Sequence, residues 1–261
     1  MREFTNLAWP ETPFGADQRP FGHHTDMLAA CTVDWAARPG DGPLPVASAM
    51  VYLRVRRHGP ARRIGEDTLS IGFRTAVVED PAEVPDLLML TDRALTRARR
   101  QAVILAGHLL RTELARMNTL SAVPLRGAAG VLAAWANRAM KQRGAAVMVD
   151  TGLEAGATGA ELDMPLEPVP VRVPDCPACA ADVARPAVAR CLAVGLAAAV
   201  HTDRYTWEGT FRVAEAIERA GWDVLSRPDA GTCLADATRD GDGDGAGSPD
   251  TAGRLVARAA T

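Results

Sequence analysis

The order of apolar runs along this 261-residue sequence predicts an α/β fold built on one mixed sheet. Three observations carry that prediction. Three strand-like runs joined by short loops come first, the mark of an antiparallel meander. Two later runs, residues 102–106 and 145–149, are separated by helical patterning, as in parallel strands joined by crossovers. Each of those two runs stops at a polar pair, Gly107-His108 and Asp150-Thr151. Polar residues just past the carboxyl ends of strands are where open α/β sheets place their chemistry.

Residues 1–26 are rich in Pro, Gly and polar groups and are expected to form an irregular arm. Residues 27–35 read as the first strand, closing on Asp34-Trp35, and a Pro/Gly turn over 38–43 leads to a second strand over 46–55. A basic loop with Arg54, Arg56, Arg57, Arg62 and Arg63 precedes a third strand over 69–78. Asp80-Pro81-Ala82-Glu83 is a helix start, with Asp as cap and Glu three residues on. Val84, Leu87, Leu88, Leu95 and Ala98 then share one helical face, while Pro85 offers an alternative first helical residue. After the strand at 102–106, residues 109–117 read as a helix. Ala128, Val131, Leu132, Trp135 and Ala139 follow the i, i+3, i+4, i+7, i+11 spacing of an amphipathic one. Four prolines between residues 161 and 174 require an extended segment. Helices are expected over 184–200, with Ala184, Val188, Cys191, Leu192, Gly195 and Ala199 in a stripe, and over 207–225. The predicted organisation is an arm (1–26), one α/β domain (27–226) and a flexible low-complexity tail (227–261).

A net charge of −3 argues against a nonspecific nucleic-acid coat protein, which is normally basic. Lys141 is the single lysine among 29 cationic residues, a bias that reflects coding composition rather than phosphate binding. No window approaches eighteen uninterrupted apolar residues, so no membrane span is expected, and the amino terminus lacks the layout of a signal peptide. Five cysteines form an odd set that suits a reducing compartment, and the expectation is a cytoplasmic protein with free thiols.

The order strand, strand, strand, helix, strand ending Gly107-His108, helix, strand ending Asp150-Thr151 resembles the ribonuclease-H-like exonucleases of the DEDD class, which include proofreading 3′–5′ exonucleases. The resemblance spans roughly residues 27–225, and its specific part is the two short segments just named. In that family the fourth strand ends in Gly-His and a metal-binding aspartate follows six residues after the glycine; Glu113 stands at that spacing here. The resemblance implies two divalent ions, Mg²⁺ or Mn²⁺, held by carboxylates that activate water against the 3′ end of single-stranded nucleic acid. Asp34, Glu113 and Asp150 are the implied metal ligands. Asp34, Glu113, Asp223 and His201 are the implied catalytic set. Arg56, Arg57, His108 and Arg111 are the implied nucleic-acid contacts.

This sequence departs from the family pattern in three places. The first motif, Asp-x-Glu, has only one acid in either alignment, Thr32-Val33-Asp34 or Asp34-Trp35-Ala36. Glu113 replaces an aspartate. The last motif has three candidate acids, Asp203, Glu208 and Asp223, with His201 or Tyr205 as partner. Plainer roles stand beside each assignment: Asp34 as a charge closing a strand, Glu113 as a solvated helix position, His108 as a helix-start residue bonding the backbone, Asp150 as a cap. The incomplete acid set supports a rival reading, a non-catalytic regulatory or protein-interaction module of the same fold.

Cys176-Pro177-Ala178-Cys179 has the spacing of half a zinc site or of a redox pair, but follows a Pro-rich segment and lacks a second close pair. Reduced thiols are the expected state. The tripeptides His24-Thr25-Asp26 and His201-Thr202-Asp203 repeat a pattern able to bind a cation, with coincidence as the plainer reading. The run Asp240-x-Asp242-x-Asp244-Gly245 starts like a calcium loop but has Thr251 where a bidentate Glu is needed.

Overall fold

The computed structural model describes residues 1–8, 26–38, 41–56, 58–137, 146–154, 161–174, 176–221 and 223–225. Six strands form one mixed sheet: β1 (Arg2–Thr5), β2 (Met27–Arg38), β3 (Asp41–Arg54), β5 (Ile71–Val77), β6 (Ile104–Gly107) and β7 (Val147–Asp150). Their order across the sheet is β1-β5-β3-β2-β6-β7. β2, β3 and β5 form the expected antiparallel meander, and β6 and β7 run parallel to β2. The central strands are nearly continuous runs of Ala, Val, Leu and Met because helices cover both faces of the sheet.

Between β5 and β6 lies α1 (Val84–Gln101), preceded by a single 3-10 turn at Pro81–Glu83. The capping box forms as the spacing predicts: Asp80 accepts from the Ala82 amide at 2.8 Å, and Glu83 accepts from the Asp80 amide at 3.2 Å. Val84, Leu87, Leu88, Leu95 and Ala98 are all buried. α2 (Leu110–Leu120) and α3 (Arg126–Ala136) fill the crossover from β6 to β7, and α4 (Thr151–Glu154) is one turn closing β7.

The opposite face carries α5 (Pro177–His201), which packs on β2, β3 and β5. It sits close because Gly195 lies against Ala30 and Leu53, where even a Cβ would stand 3.3 Å from each. The helix starts seven residues before the expected 184. By length and composition alone Cys179–His201 is apolar enough to cross a membrane, yet 78% of that window is buried inside the domain. Its apolarity is matched to the sheet it covers.

Two expectations are corrected. Arg2–Thr5, expected within an irregular arm, is an edge strand paired with β5, and Asn6 pins its end: the side chain donates to Ile71 O and Ala220 O and accepts from the Phe73 amide. The helix expected over 207–225 is shorter. Residues 205–211 instead make β9 (Tyr205–Thr206), paired with β4 (Arg62–Arg63), and β10 (Thr210–Phe211), paired with β8 (Glu161–Leu162). Gly209, at φ 66°, turns the chain between them, and only α6 (Val213–Gly221) remains helical. The expected arm beyond residue 8, the tail over 227–261 and its calcium-like run lie outside the described residues.

Candidate functional site

Because β2, β6 and β7 are parallel, their carboxyl ends meet at one edge of the sheet, with Cys31 level with Gly107 and Gly107 level with Asp150. β2 then runs on past its neighbours. A register shift between Asp34 and Trp35 marks a bulge, and the two side chains leave on opposite faces, Asp34 toward α5 and Trp35 toward α2.

Asp34 is buried and ion-paired with Arg190 of α5. The guanidinium donates to one carboxylate oxygen from Nε at 3.0 Å and from Nη2 at 2.6 Å, and Nη2 also reaches Val33 O at 3.1 Å. The two side chains are 6% and 7% exposed, so water screens this pair little. Burial pushes the Asp34 carboxyl above its ordinary range, against the pull of Arg190.

Glu113, an implied metal ligand whose plainer reading is a solvated helix position, is buried. It accepts from the Trp35 indole N–H and pairs with Arg116 at 3.3 Å, while Arg116 stands 5.9 Å over the Trp35 ring. Burial raises its carboxyl above the ordinary range; the Trp35 bond, Arg116 and Arg190 oppose that, and Asp34 adds to it. Glu113 and Asp34 are thus within electrostatic reach of each other on two sides of the same strand.

Asp150 serves as the cap of α4, accepting from the Gly152 amide at 3.1 Å, while Glu154 accepts from the Asp150 amide at 3.4 Å. His108 is half-buried and bonds the Thr151 hydroxyl through Nδ1 at 3.1 Å, a side-chain partner rather than the backbone. Burial holds its imidazole below the ordinary range. The next residue, Leu109, takes φ 49° as the cap of α2, a conformation that bulky side chains avoid. This turn aims the Leu109 side chain out of the sheet edge, over Gly152.

Beside these groups is a cavity of about 700 Å³, whose lining includes Trp35, Leu109, Leu120, Asp150, Leu153 and the α2 arginines. The three leucines are 39%, 44% and 66% exposed, so half of the large exposed apolar side chains among the described residues border one pocket. Arg111 is exposed and has no ion-pair partner among the described residues.

Other sequence candidates fall elsewhere. His201 ends α5, eleven residues beyond Arg190 and about 16 Å along the axis. Arg56 follows the end of β3 that lies level with Met27, the opposite edge from Asp34, and Arg57 lies outside the described residues. Asp223 is exposed past α6, which packs on β5 rather than β2. Glu208 pairs with Arg63, and the Tyr205 hydroxyl donates to Arg54 O. Asp34, Glu113, Asp150, His108 and Arg111 are therefore gathered at one edge; His201, Asp223 and Arg56 are not.

The divalent ions that the resemblance implies need carboxylate oxygens free to turn toward them. Here a fixed cation occupies Asp34, Trp35 and Arg116 occupy Glu113, and Asp150 accepts from the Gly152 amide. Among the described residues no three His, Cys, Asp or Glu side chains are grouped to hold a metal. In this arrangement the donor set does not fit two divalent ions. Sequence reasoning missed Arg190 altogether, since it sits in an apolar helix 156 residues from Asp34. Its one signal was a lone cation inside that stripe. No protein-family model, curated protein or solved structure matches this chain, so the functional reading rests on the site's own geometry.

Proposed function

We propose that this chain is a non-catalytic relative of the ribonuclease-H-like exonucleases, which binds at the carboxyl edge of its sheet and does not cut there. The strand order supports the fold reading: with the edge strand β1 set aside, an antiparallel meander is followed by two parallel strands, as the resemblance implies. The observation that carries the loss of catalysis is the Asp34–Arg190 pair. A guanidinium on the carboxylate that a dication must claim repels that ion and leaves one oxygen for it at most.

The ligand class follows from the pocket. Apolar walls beside Arg111, which has no ion-pair partner among the described residues, suit a flat apolar group carrying a nearby negative charge. An unstacked base with its phosphate, at the end of single-stranded nucleic acid, has that chemistry, with the base against the exposed leucines and the phosphate at Arg111.

The test is fluorescence anisotropy with labelled single-stranded DNA and RNA, in EDTA and in Mn²⁺, followed by product analysis. The expected outcome is binding that needs no metal, weakens on Arg111→Ala, and releases no nucleotide. Mn²⁺-dependent release of nucleotides that disappears on Asp34→Ala would instead establish the second reading, a working exonuclease. That reading is favoured by the convergence of Asp34, Glu113 and Asp150 at one edge. Absence of oligonucleotide binding would remove nucleic acid as partner and leave the protein-interaction module.

A further inference from the structure

Cys176 and Cys179 are joined as a disulfide, with Cα atoms 5.2 Å apart, in place of the reduced thiols expected from sequence. The pair sits at the start of the longest helix in the described structure. Cys176 is the N-cap of α5, and the Cys179 amide donates to its sulfur at 3.2 Å. Both cysteines are partly exposed.

The other two described cysteines make a sharp contrast. Cys31 and Cys191 are free and buried; burial pushes both thiols up, that of Cys191 to about 12. They are inert packing residues. The bonded pair differs in two properties that govern thiol reactivity: access, and a helix-start amide that donates to the sulfur and favours a thiolate.

A structural staple is the weaker explanation for this bond. A disulfide stabilises mainly by restricting the unfolded chain, and the effect grows with the loop it closes. Cys176 and Cys179 are three residues apart, within what is already the first turn of a helix. The link therefore closes a loop about as short as a disulfide can close, where this effect is smallest.

We infer that Cys176 and Cys179 form a redox-active dithiol–disulfide site that exchanges with disulfides of small thiols or of partner proteins. In the reduced chain the Cys176 thiolate attacks one sulfur of a disulfide R–S–S–R′, forming Cys176–S–S–R and releasing R′–S⁻. Cys179 gives its proton to solvent and attacks the Cys176 sulfur, which closes the internal disulfide and releases R–S⁻. Two electrons pass from the pair to the external disulfide, and the reverse sequence reduces the pair. This activity is independent of the pocket and of the Asp34–Arg190 pair.

The experiment equilibrates the full chain in dithiothreitol redox buffers and in glutathione redox buffers, quenches in acid, and maps thiols by alkylation and peptide mass spectrometry. The expected result is reversible interconversion of Cys176 and Cys179 as one two-electron couple, with Cys31 and Cys191 unmodified and the circular-dichroism spectrum unchanged. In a second arm the Cys179→Ser, Cys233→Ser variant meets oxidised glutathione, Cys233 being the fifth cysteine of the chain and outside the described residues. A single adduct should accumulate on Cys176, and Cys176 should alkylate at least about tenfold faster than Cys31 or Cys191. The inference is overturned if the bond resists millimolar dithiothreitol in the folded chain. It is equally overturned if the two thiols stay reduced at every ratio, if the adduct falls on other cysteines, or if stoichiometric zinc on the reduced pair marks it as a metal half-site.

Discussion

Replacing Arg190 by methionine keeps an apolar stem for packing and removes the charge. Asp34 then loses its two bonds from Nε and Nη2, and Val33 O loses its third. The carboxylate is only 6% exposed, so water has little access to compensate. Stripping the partner from a buried ion pair costs about 3–5 kcal/mol at neutral pH, because the remaining charge stays uncompensated. The cost depends on pH. Burial already raises the Asp34 carboxyl, and without the guanidinium it rises further. A raised carboxyl favours the fold below its unfolded value, and that contribution is lost as pH climbs through the folded one. The penalty of Arg190→Met is therefore largest near pH 7 and shrinks on acidification, as a protonated Asp34 needs no counter-charge. Urea unfolding at several pH values, on wild type, Arg190→Met, Asp34→Asn and the double variant, measures both quantities. The double variant should recover much of the single loss, giving a coupling above about 1 kcal/mol. A loss below about 1 kcal/mol that ignores pH, or an additive cycle, refutes the claim that Asp34 is a buried charge held by Arg190.

Glu113→Gln tests the neighbouring acid in the same way with the opposite sign. Burial holds the Glu113 carboxyl above the ordinary 4.5, so its favourable contribution is complete below pH 4.5 and lost as pH rises through the folded value. Glutamine still accepts from the Trp35 indole, so the variant should melt higher than wild type at pH 7 and match it in acid; a lower melting temperature at pH 7 contradicts this. Gly127→Ala tests the contact between α1 and α3: the new Cβ would stand 2.1 Å from Asp92 O, a backbone atom that cannot step aside. A loss of about 2–3 kcal/mol is expected by chemical denaturation, and an unchanged midpoint would mean that the helices are not so closely docked.

What the sequence disclosed about this fold was local. The run into Gly107-His108, the alternation of charge and apolar residues along α1, and the Asp80/Glu83 box depend on neighbours within a few positions, and each forms where its pattern lies. Arg2–Thr5 lacks such a pattern; it is a strand because β5 offers an open edge and Asn6 finds three backbone partners on other segments. Residues 205–211 lost their helical reading to pairings with Arg62–Arg63 and Glu161–Leu162, which lie far away in sequence.

The candidate site divides along the same line, and chain direction explains how. Asp34, His108, Glu113 and Asp150 follow strands that point the same way, so reading three carboxyl ends was enough to bring them together. Arg56 follows β3, which returns antiparallel to β2 and ends about seven residues of strand, some 23 Å, from Asp34. His201 is lost for the same reason, since α5 descends along β2 with Arg190 at the site and Gly195 already beside Ala30 and Leu28. That direction also sends the start of α5, and with it Cys176, beyond Arg190 on the side of Asp34. One helix thus delivers a cation to the carboxylate that the resemblance would need free for a metal, and carries the Cys176–Cys179 disulfide in its first turn. Under the proposed reading Arg190 is a core-closing residue of a binding module, because its guanidinium occupies the carboxylate oxygen and the Val33 carbonyl together.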